Sequence, residues 1–460
     1  MINLRNWQAS CIDLALENYS KGQKHFLCLA TPGAGKSTMA AVLAKKLLSN
    51  LQVDFVICFS PSKAIAHGLT DTFERVLGNK FDGRLGAKGQ SLTYHSLNHL
   101  DRSFWQLFHD FRVLVVLDEI HHCAGDTFER ANAWGQVILK NVQEHAAYTL
   151  ALTGTPWRTD AIPICLASYS HDTDQIICDF VYGLNEAVND HVCRVPTVIL
   201  FENSKVVSSD QKNRIFCSIK EYIEAPGTSY SNLLKNEKAI NHVFNQALKK
   251  LHTVQKTYKN AAGLIVAESV KHTKQICRIL KIEFSISPKL VTYEEQHSQH
   301  IIDTFRTSSD EWIVSVGMVS EGTDIPRLRV CCHFSNVKTE LYFRQILGRI
   351  MRNTDGKRTQ AWLYTLAHPQ LVEYAHRLQD EVPETRVTFT EDMDTTNEAH
   401  NGGEISAIDN NQSDLSPIET GDWQSDVDSY LELTSTEYPQ ATDDYFKRYA
   451  NLVPSNSLGS

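Results

Sequence analysis

The chain has 460 residues, of which 42% are hydrophobic, and a formal net charge of −9. Such a length exceeds what one hydrophobic core normally sustains, and no apolar stretch is long enough to span a bilayer as a helix; a single-core fold and a helical membrane span are both set aside. The eleven cysteines include no CxxC pair and the nineteen histidines no HExxH spacing, which argues for reduced packing thiols over disulfides or zinc, so no metal beyond Mg²⁺ is expected. The N-terminus lacks the layout of a signal peptide, and a cytoplasmic protein is the expectation.

In chain order, Leu4-Arg5-Asn6-Trp7-Gln8 opens an amphipathic helix. The apolar run His25–Ala30 follows and ends in Thr31-Pro32-Gly33-Ala34-Gly35-Lys36-Ser37-Thr38, after which residues 39–48 have helical composition and spacing. Strand, loop and helix in that order bring backbone N–H groups together at a helix N-terminus, where glycines at 33 and 35 let them converge on phosphate oxygens. Lys36 then reaches the terminal phosphates and the Ser37 hydroxyl can hold Mg²⁺.

A strand is predicted at 53–59, before Ser60-Pro61-Ser62, and Thr93-Tyr94-His95-Ser96-Leu97 lies beyond it. The run Val113–Leu117 ends in Asp118-Glu119-Ile120-His121-His122. Adjacent carboxylates at the edge of a buried strand suit the second half of an ATP site: Asp118 to hold Mg²⁺ through water, and Glu119 to polarise the attacking water. Another strand, at 148–152, leads into Thr153-Gly154-Thr155-Pro156.

The same alternation recurs downstream, with strand-like runs at 263–267, 288–292, 312–316, 330–334 and 361–365. Alternating strands and helices imply parallel sheets covered on both faces. Gln345, Arg349 and Arg352 are spaced by four and three, so a helix would present all three on one face. From Asp380 onward 18 acidic residues stand against 3 basic ones, a net of −15, which leaves 42 basic and 36 acidic in the preceding 379. A mildly basic body thus carries a strongly acidic tail whose composition over 391–420 is that of a disordered linker, followed by aromatic residues between Trp423 and Tyr449.

These motifs, taken in order from residue 4 to residue 366, resemble those of superfamily 2 helicases of the DEAD/DEAH-box type, and are similar to the motor subunits of type I and type III restriction enzymes. Ala30 in place of a glycine gives the loop the AxxGxGK[ST] form of that superfamily, Asp118–His121 its DExH form, and Gln345–Arg352 its QxxGRxxR pattern. The resemblance implies an α/β fold of two tandem RecA-like parallel-sheet domains with an acidic, partly disordered C-terminal tail. The expected boundaries are a first lobe at 1–194, a connector at 195–229, a second lobe at 230–379 and the tail at 380–460.

Function and site residues follow from the same resemblance. It implies ATP and Mg²⁺ as cofactors, and an ATP-dependent DNA helicase or translocase as the activity; an RNA helicase and a nucleotide-gated binding module remain as alternatives. Gln8 and Arg5 would read the base. Thr31, Gly33, Ala34, Gly35, Lys36, Ser37 and Thr38 would hold the phosphates, with Gly322 and Asp324 bordering the nucleotide from the second lobe. His121, Thr153 and Thr155 would couple hydrolysis to the nucleic acid, Gln345, Arg349 and Arg352 would face the phosphates, and Arg352 would be the arginine finger. Ser60, Ser62, Thr93, Tyr94, Ser96 and Ser269 would contact the strand, through backbone amides and hydroxyls in a salt-sensitive mode. The implied partners are nucleic acid, DNA in particular, and a nuclease or defence-system protein.

Overall fold

The structure, a computed structural model, describes residues 3–391 apart from 156–161, 173–174, 204–205, 208–213, 293, 295–297, 317–324 and 355. The acidic tail beyond 391 lies outside the described residues.

Two parallel sheets carry the chain, each built from strands the sequence marks as apolar runs. In the first, β1 (His25–Ala30), β2 (Phe55–Ser60), β3 (Gly89–Thr93), β4 (Val113–Asp118), β5 (Tyr148–Thr153) and β6 (Phe180–Tyr182) stand in the order β3-β2-β4-β5-β1-β6, and each neighbouring pair is parallel. Parallel strands joined by helical crossovers are covered on both faces, which is why β4 is buried at all six positions. Its side chains divide by the two-residue period of a strand: Leu114 and Val116 enter the larger core, while Val113, Val115 and Leu117 enter a second cluster on the other face.

The second sheet comprises β7 (Val195–Glu202), β8 (Ala262–Ala267), β9 (Lys289–Val291), β10 (Trp312–Val316), β11 (Leu328–Phe334), β12 (Gln360–Leu366) and β13 (Arg386–Glu391), ordered β9-β10-β8-β11-β12-β7-β13 with every pair parallel. Two of its strands come from segments that composition alone had placed elsewhere. Val195–Glu202, inside the expected connector, pairs with β12 from Val195↔Gln360 to Phe201↔Leu366. Arg386–Glu391, inside the expected tail, adds the edge strand beside it. Pro196 weakens the strand signal of the first, and the polar alternation Arg-Val-Thr-Phe-Thr-Glu of the second is that of an edge, solvated on one side.

Three helices of the first lobe matter for the site: α1 (Asn6–Ser20), α2 (Lys36–Ser49) and α3 (Lys63–Leu77). Three of the second lobe are used below: α4 (Glu237–Gln255), α5 (Val270–Glu283) and α6 (Glu340–Met351). The long α4 buries Ile240, Val243, Phe244, Ala247 and Leu251, a helical stripe laid on the second sheet. Among the described residues no helix is long and apolar enough to cross a membrane.

Gly263 in β8 is directly opposite Trp312 in β10, whose indole is fully buried, and a methyl group at 263 would come within 2.2 Å of that ring. Gly263→Ala is therefore expected to lower folding stability by roughly 1–3 kcal/mol through overpacking. Denaturant melts of the two proteins check this, and equal midpoints would show that the ring can move aside.

Candidate active site

The site grows out of the loop between β1 and α2. Gly33 and Gly35 have φ of +83° and +95°, a left-handed backbone that favours glycine, and these two turns let α2 begin at Lys36. The start of α1 is fastened to this loop: Arg5 Nη1 donates to Ala34 O at 2.6 Å and Gln8 Nε2 donates to Gly35 O at 2.9 Å, while Gln8 Oε1 accepts the Arg5 N–H. A Cβ at 35 would lie 2.8 Å from Gln8 Nε2, so the glycine is needed for this approach as well as for its φ. Thr31 is buried, with its N–H on Tyr182 O, and Ser37 and Thr38 are half-buried in the first turn of α2.

Lys36 Nζ donates to Ala30 O at 3.1 Å and lies 3.3 Å from Glu119 Oε1. The other Glu119 oxygen accepts the Gly154 N–H at 3.2 Å and is 3.4 Å from His121 Nδ1. Thr153 Oγ1 gives its hydrogen to Thr155 O, so the 3.0 Å contact from His121 Nδ1 to that oxygen has the histidine as donor. One chain of contacts thus runs from Lys36 through Glu119 and His121 to Thr153 and Thr155. Glu119 enters it with φ +51° and ψ +52°, a left-handed conformation that costs a non-glycine residue about 1–2 kcal/mol. Backbone strain of this kind persists where the surroundings hold it, here the carboxylate's partners on both oxygens.

The two adjacent carboxyls are driven apart electrostatically. Burial, reinforced by the Glu119 charge, pushes Asp118 up to about 7, with Lys36 pulling only partly the other way. Burial works against ionised Glu119 too, but Lys36, His121 and the Gly154 N–H outweigh it and hold the group below the usual carboxylate range. Asp118 is 6% exposed and its Oδ1 has no hydrogen-bond partner among the described residues. A buried carboxyl oxygen without a donor, close to Lys36 in the first turn of α2, fits a hard divalent cation once its proton is lost. Glu119, already ionised and held by donors, fits a base for water.

The second lobe closes the site from the opposite side. A Cβ at Gly348 of α6 would lie 2.9 Å from Pro32 Cβ, and one at Gly33 would lie 2.8 Å from Arg352 Cγ, so α6 abuts the loop and the Arg352 side chain crosses it. Gln345 and Arg349 are half-buried on the same helix. The structure therefore gathers Arg5, Gln8, Lys36, Asp118, Glu119 and Arg352 around one loop. Gly322 and Asp324 lie outside the described residues.

The residues expected to meet a nucleic-acid strand are placed less uniformly. Ser62 caps α3 by accepting the Ile65 N–H, Ser269 caps α5 by accepting the His272 N–H, and Thr93 and Ser96 share a hydrogen bond; these four are half-buried. Ser60 and Tyr94 are fully buried. The Tyr94 hydroxyl donates to Asp118 O at 2.9 Å, so this side chain supports the carboxylate strand from the core and does not face a bound strand. Sequence reasoning missed that contact, as it missed Gly154 and the Pro32–Gly348 approach; the only signal for the last was a glycine inside a helix.

Residues 1–158 match the family described as type III restriction enzyme, res subunit, and residues 243–354 match the helicase conserved C-terminal domain. The uncharacterized protein Rv2917 of Mycobacterium tuberculosis is 30% identical over 398 residues, covering 82% of this chain and 63% of that protein. The chain thus spans less than two thirds of that relative's length. The DNA 3'-5' translocase XPB2 of Sulfurisphaera tokodaii is 23% identical over 391 residues, 77% of this chain and 80% of that one. Among solved structures, the fragment described as an HsdR subunit of a type I restriction enzyme from Vibrio vulnificus shares the fold, with a TM-score of 0.59 at 19% identity over 84% of this chain and 68% of that one.

The Pro32–Gly348 contact leaves no room for a branched side chain. Gly348→Val should leave each sheet folded, with circular dichroism unchanged, but prevent α6 from closing on the loop, which small-angle scattering would register as a larger radius of gyration. An unchanged radius would mean that the contact can be relieved locally.

Proposed function

The chain belongs to the superfamily 2 helicases related to the motor subunits of restriction enzymes, and from that membership we propose that it hydrolyses ATP with Mg²⁺ between its two lobes and uses the cycle to move along nucleic acid, DNA in preference to RNA. The observation that carries the reading is Arg352 of the second lobe lying across the loop that bears Lys36 of the first. A site assembled from two lobes is complete only when they meet, which is what a motor needs to turn a chemical step into a displacement. The preference for DNA rests on the relatives, one of which is named a DNA translocase.

Each side chain has a distinct task in this reading. Lys36 and the loop amides bind the β- and γ-phosphates; Ser37 and Asp118 are the residues that would hold Mg²⁺, whose chemistry when bound is to neutralise charge on the phosphate oxygens. Glu119 orients the attacking water and takes its proton. A γ-phosphate arriving at Lys36 competes with Glu119 for the ammonium, and as that ion pair weakens the carboxylate gains proton affinity. Glu119 thus becomes a stronger base only once nucleotide is in place. His121, bridging Glu119 and Thr153, links that change to the segment after β5. Arg352 meets the charge that develops on the γ-phosphate, and its withdrawal after hydrolysis releases the lobes. Nucleic acid is held across the tops of both sheets, where Ser62, Thr93, Ser96 and Ser269 begin or flank helices.

ATPase rates measured alone and with single-stranded DNA, duplex DNA, forked DNA and RNA test the activity as a whole: DNA is expected to stimulate turnover most, and indifference to every nucleic acid would overturn the reading. Within the site, Lys36→Ala should lose both nucleotide binding and turnover. Glu119→Gln should instead bind ATP normally and hydrolyse it slower by a factor of at least about 10². Wild-type turnover in Glu119→Gln would remove it from the chemistry.

Asp118 adds a pH signature. With its carboxyl at about 7, it is protonated below that pH and must lose the proton to ligate a cation. The Mg²⁺ concentration that half-saturates ATP binding should therefore rise as pH falls from 8 to 6, approaching about tenfold per unit on the acid side. A flat profile would argue against Asp118 as the ligand.

A further inference from the structure

Arg194 stands just before the second sheet and is 1% exposed, among the largest fully buried side chains of the protein. Its guanidinium meets backbone carbonyls: Nη1 donates to Leu328 O and Ile350 O and Nη2 to Pro326 O, all at 2.7 Å. Its own N–H donates to Met351 O at 2.6 Å. Ile350 and Met351 are the last two residues of α6, where helix carbonyls lack intrahelical donors and carry the negative end of the dipole. The residues on either side extend the pairing. Cys193 forms an antiparallel bridge with Arg352, the Asn353 N–H donates to Val192 O, and Asn353 Nδ2 donates to His191 O at 2.8 Å.

Arg352 itself has left the helix, with φ −58° and ψ 124°. Helical hydrogen bonding therefore does not set the direction of its backbone; the segment 191–194 does, and that segment is fixed by Arg194. The same guanidinium ties the last turn of α6 to the entry of β11, so the finger's base, the sheet behind it and the crossing from the first lobe meet on one planar group. Lysine could supply the charge but not a rigid fork that reaches three carbonyls at set angles.

We propose that Arg194 is a positioning residue for Arg352, holding the finger's backbone so that its side chain crosses the phosphate loop, and so acting on the rate of hydrolysis and not on nucleotide affinity. The proposal rests on the reading of Arg352 given above. The test is Arg194→Lys in the full chain, alone and combined with Arg352→Ala. Arg194→Lys should lower kcat for ATP by at least about tenfold while KM and melting temperature stay near wild type. It should weaken binding of ADP with aluminium fluoride, a mimic of the phosphoryl group in flight, without weakening ADP. In the Arg352→Ala background it should cause no further loss, because the group it positions is gone.

An equal fold-loss in both backgrounds, or unchanged affinity for the aluminium fluoride complex, would overturn the proposal and leave Arg194 as a structural tie. Normal turnover in Arg352→Ala alone would instead overturn the reading of the finger, and this proposal with it. Should Arg194→Lys fail to fold, Asn353→Ala, which loosens the same pairing from the other strand, carries the same measurements with the same expected and contrary results.

Discussion

The contact between Lys36 and Glu119 governs the rest of the site, because it joins the loop after β1 to the carboxylate strand across 3.3 Å in a place largely withdrawn from water. Removing one partner of such a pair leaves the other as a buried, uncompensated charge. Everything around it follows from keeping both charges in place. The left-handed backbone of Glu119 turns the carboxylate toward the ammonium, Gly154 and His121 occupy its second oxygen, and Ala30 O steadies the lysine. The neighbouring Asp118, whose Oδ1 has no hydrogen-bond partner among the described residues, is the one that burial and the Glu119 charge push up to about 7. Two like groups side by side are thus shifted in opposite directions, because Lys36, His121 and the Gly154 N–H together outweigh burial at Glu119 while Lys36 offsets it only in part at Asp118.

How far the sequence disclosed this differs by kind of feature. That Lys36, Glu119 and Arg352 would come together at one loop was legible, because their residue types recur at few spacings and the structure brings them there. The sheets were legible where a strand is a continuous apolar run, as at Val113–Leu117, because such runs have no other common use in so long a chain. Two strands of the second sheet were not. Val195–Glu202 contains a proline and Arg386–Glu391 alternates polar and apolar residues, so each resembled a linker until its partners were known.

The residues expected to contact nucleic acid were the hardest to read for a related reason. Serine and threonine at strand ends serve as helix caps as readily as phosphate donors, and Ser62 and Ser269 do cap helices. Tyr94 was misjudged because a hydroxyl beside such a segment can point either way; here it supports Asp118 from beneath. Arg194 had no sequence signature at all. A buried arginine whose partners are carbonyls depends on where three distant backbone segments cross, which spacing along the chain does not encode.

The edge strand Arg386–Glu391 bears on mechanics. The chain enters the second sheet at the start of Val195–Glu202 and leaves it at the end of Arg386–Glu391, and the two strands run side by side and parallel through six paired positions from Thr197↔Arg386 to Glu202↔Glu391. Tension between the first lobe and whatever follows residue 391 would pull on opposite ends of these neighbours. That loads their hydrogen bonds in shear, all at once, and not one after another as in unzipping. The segment after residue 391 is thereby hitched to the second sheet through the geometry most resistant to tearing.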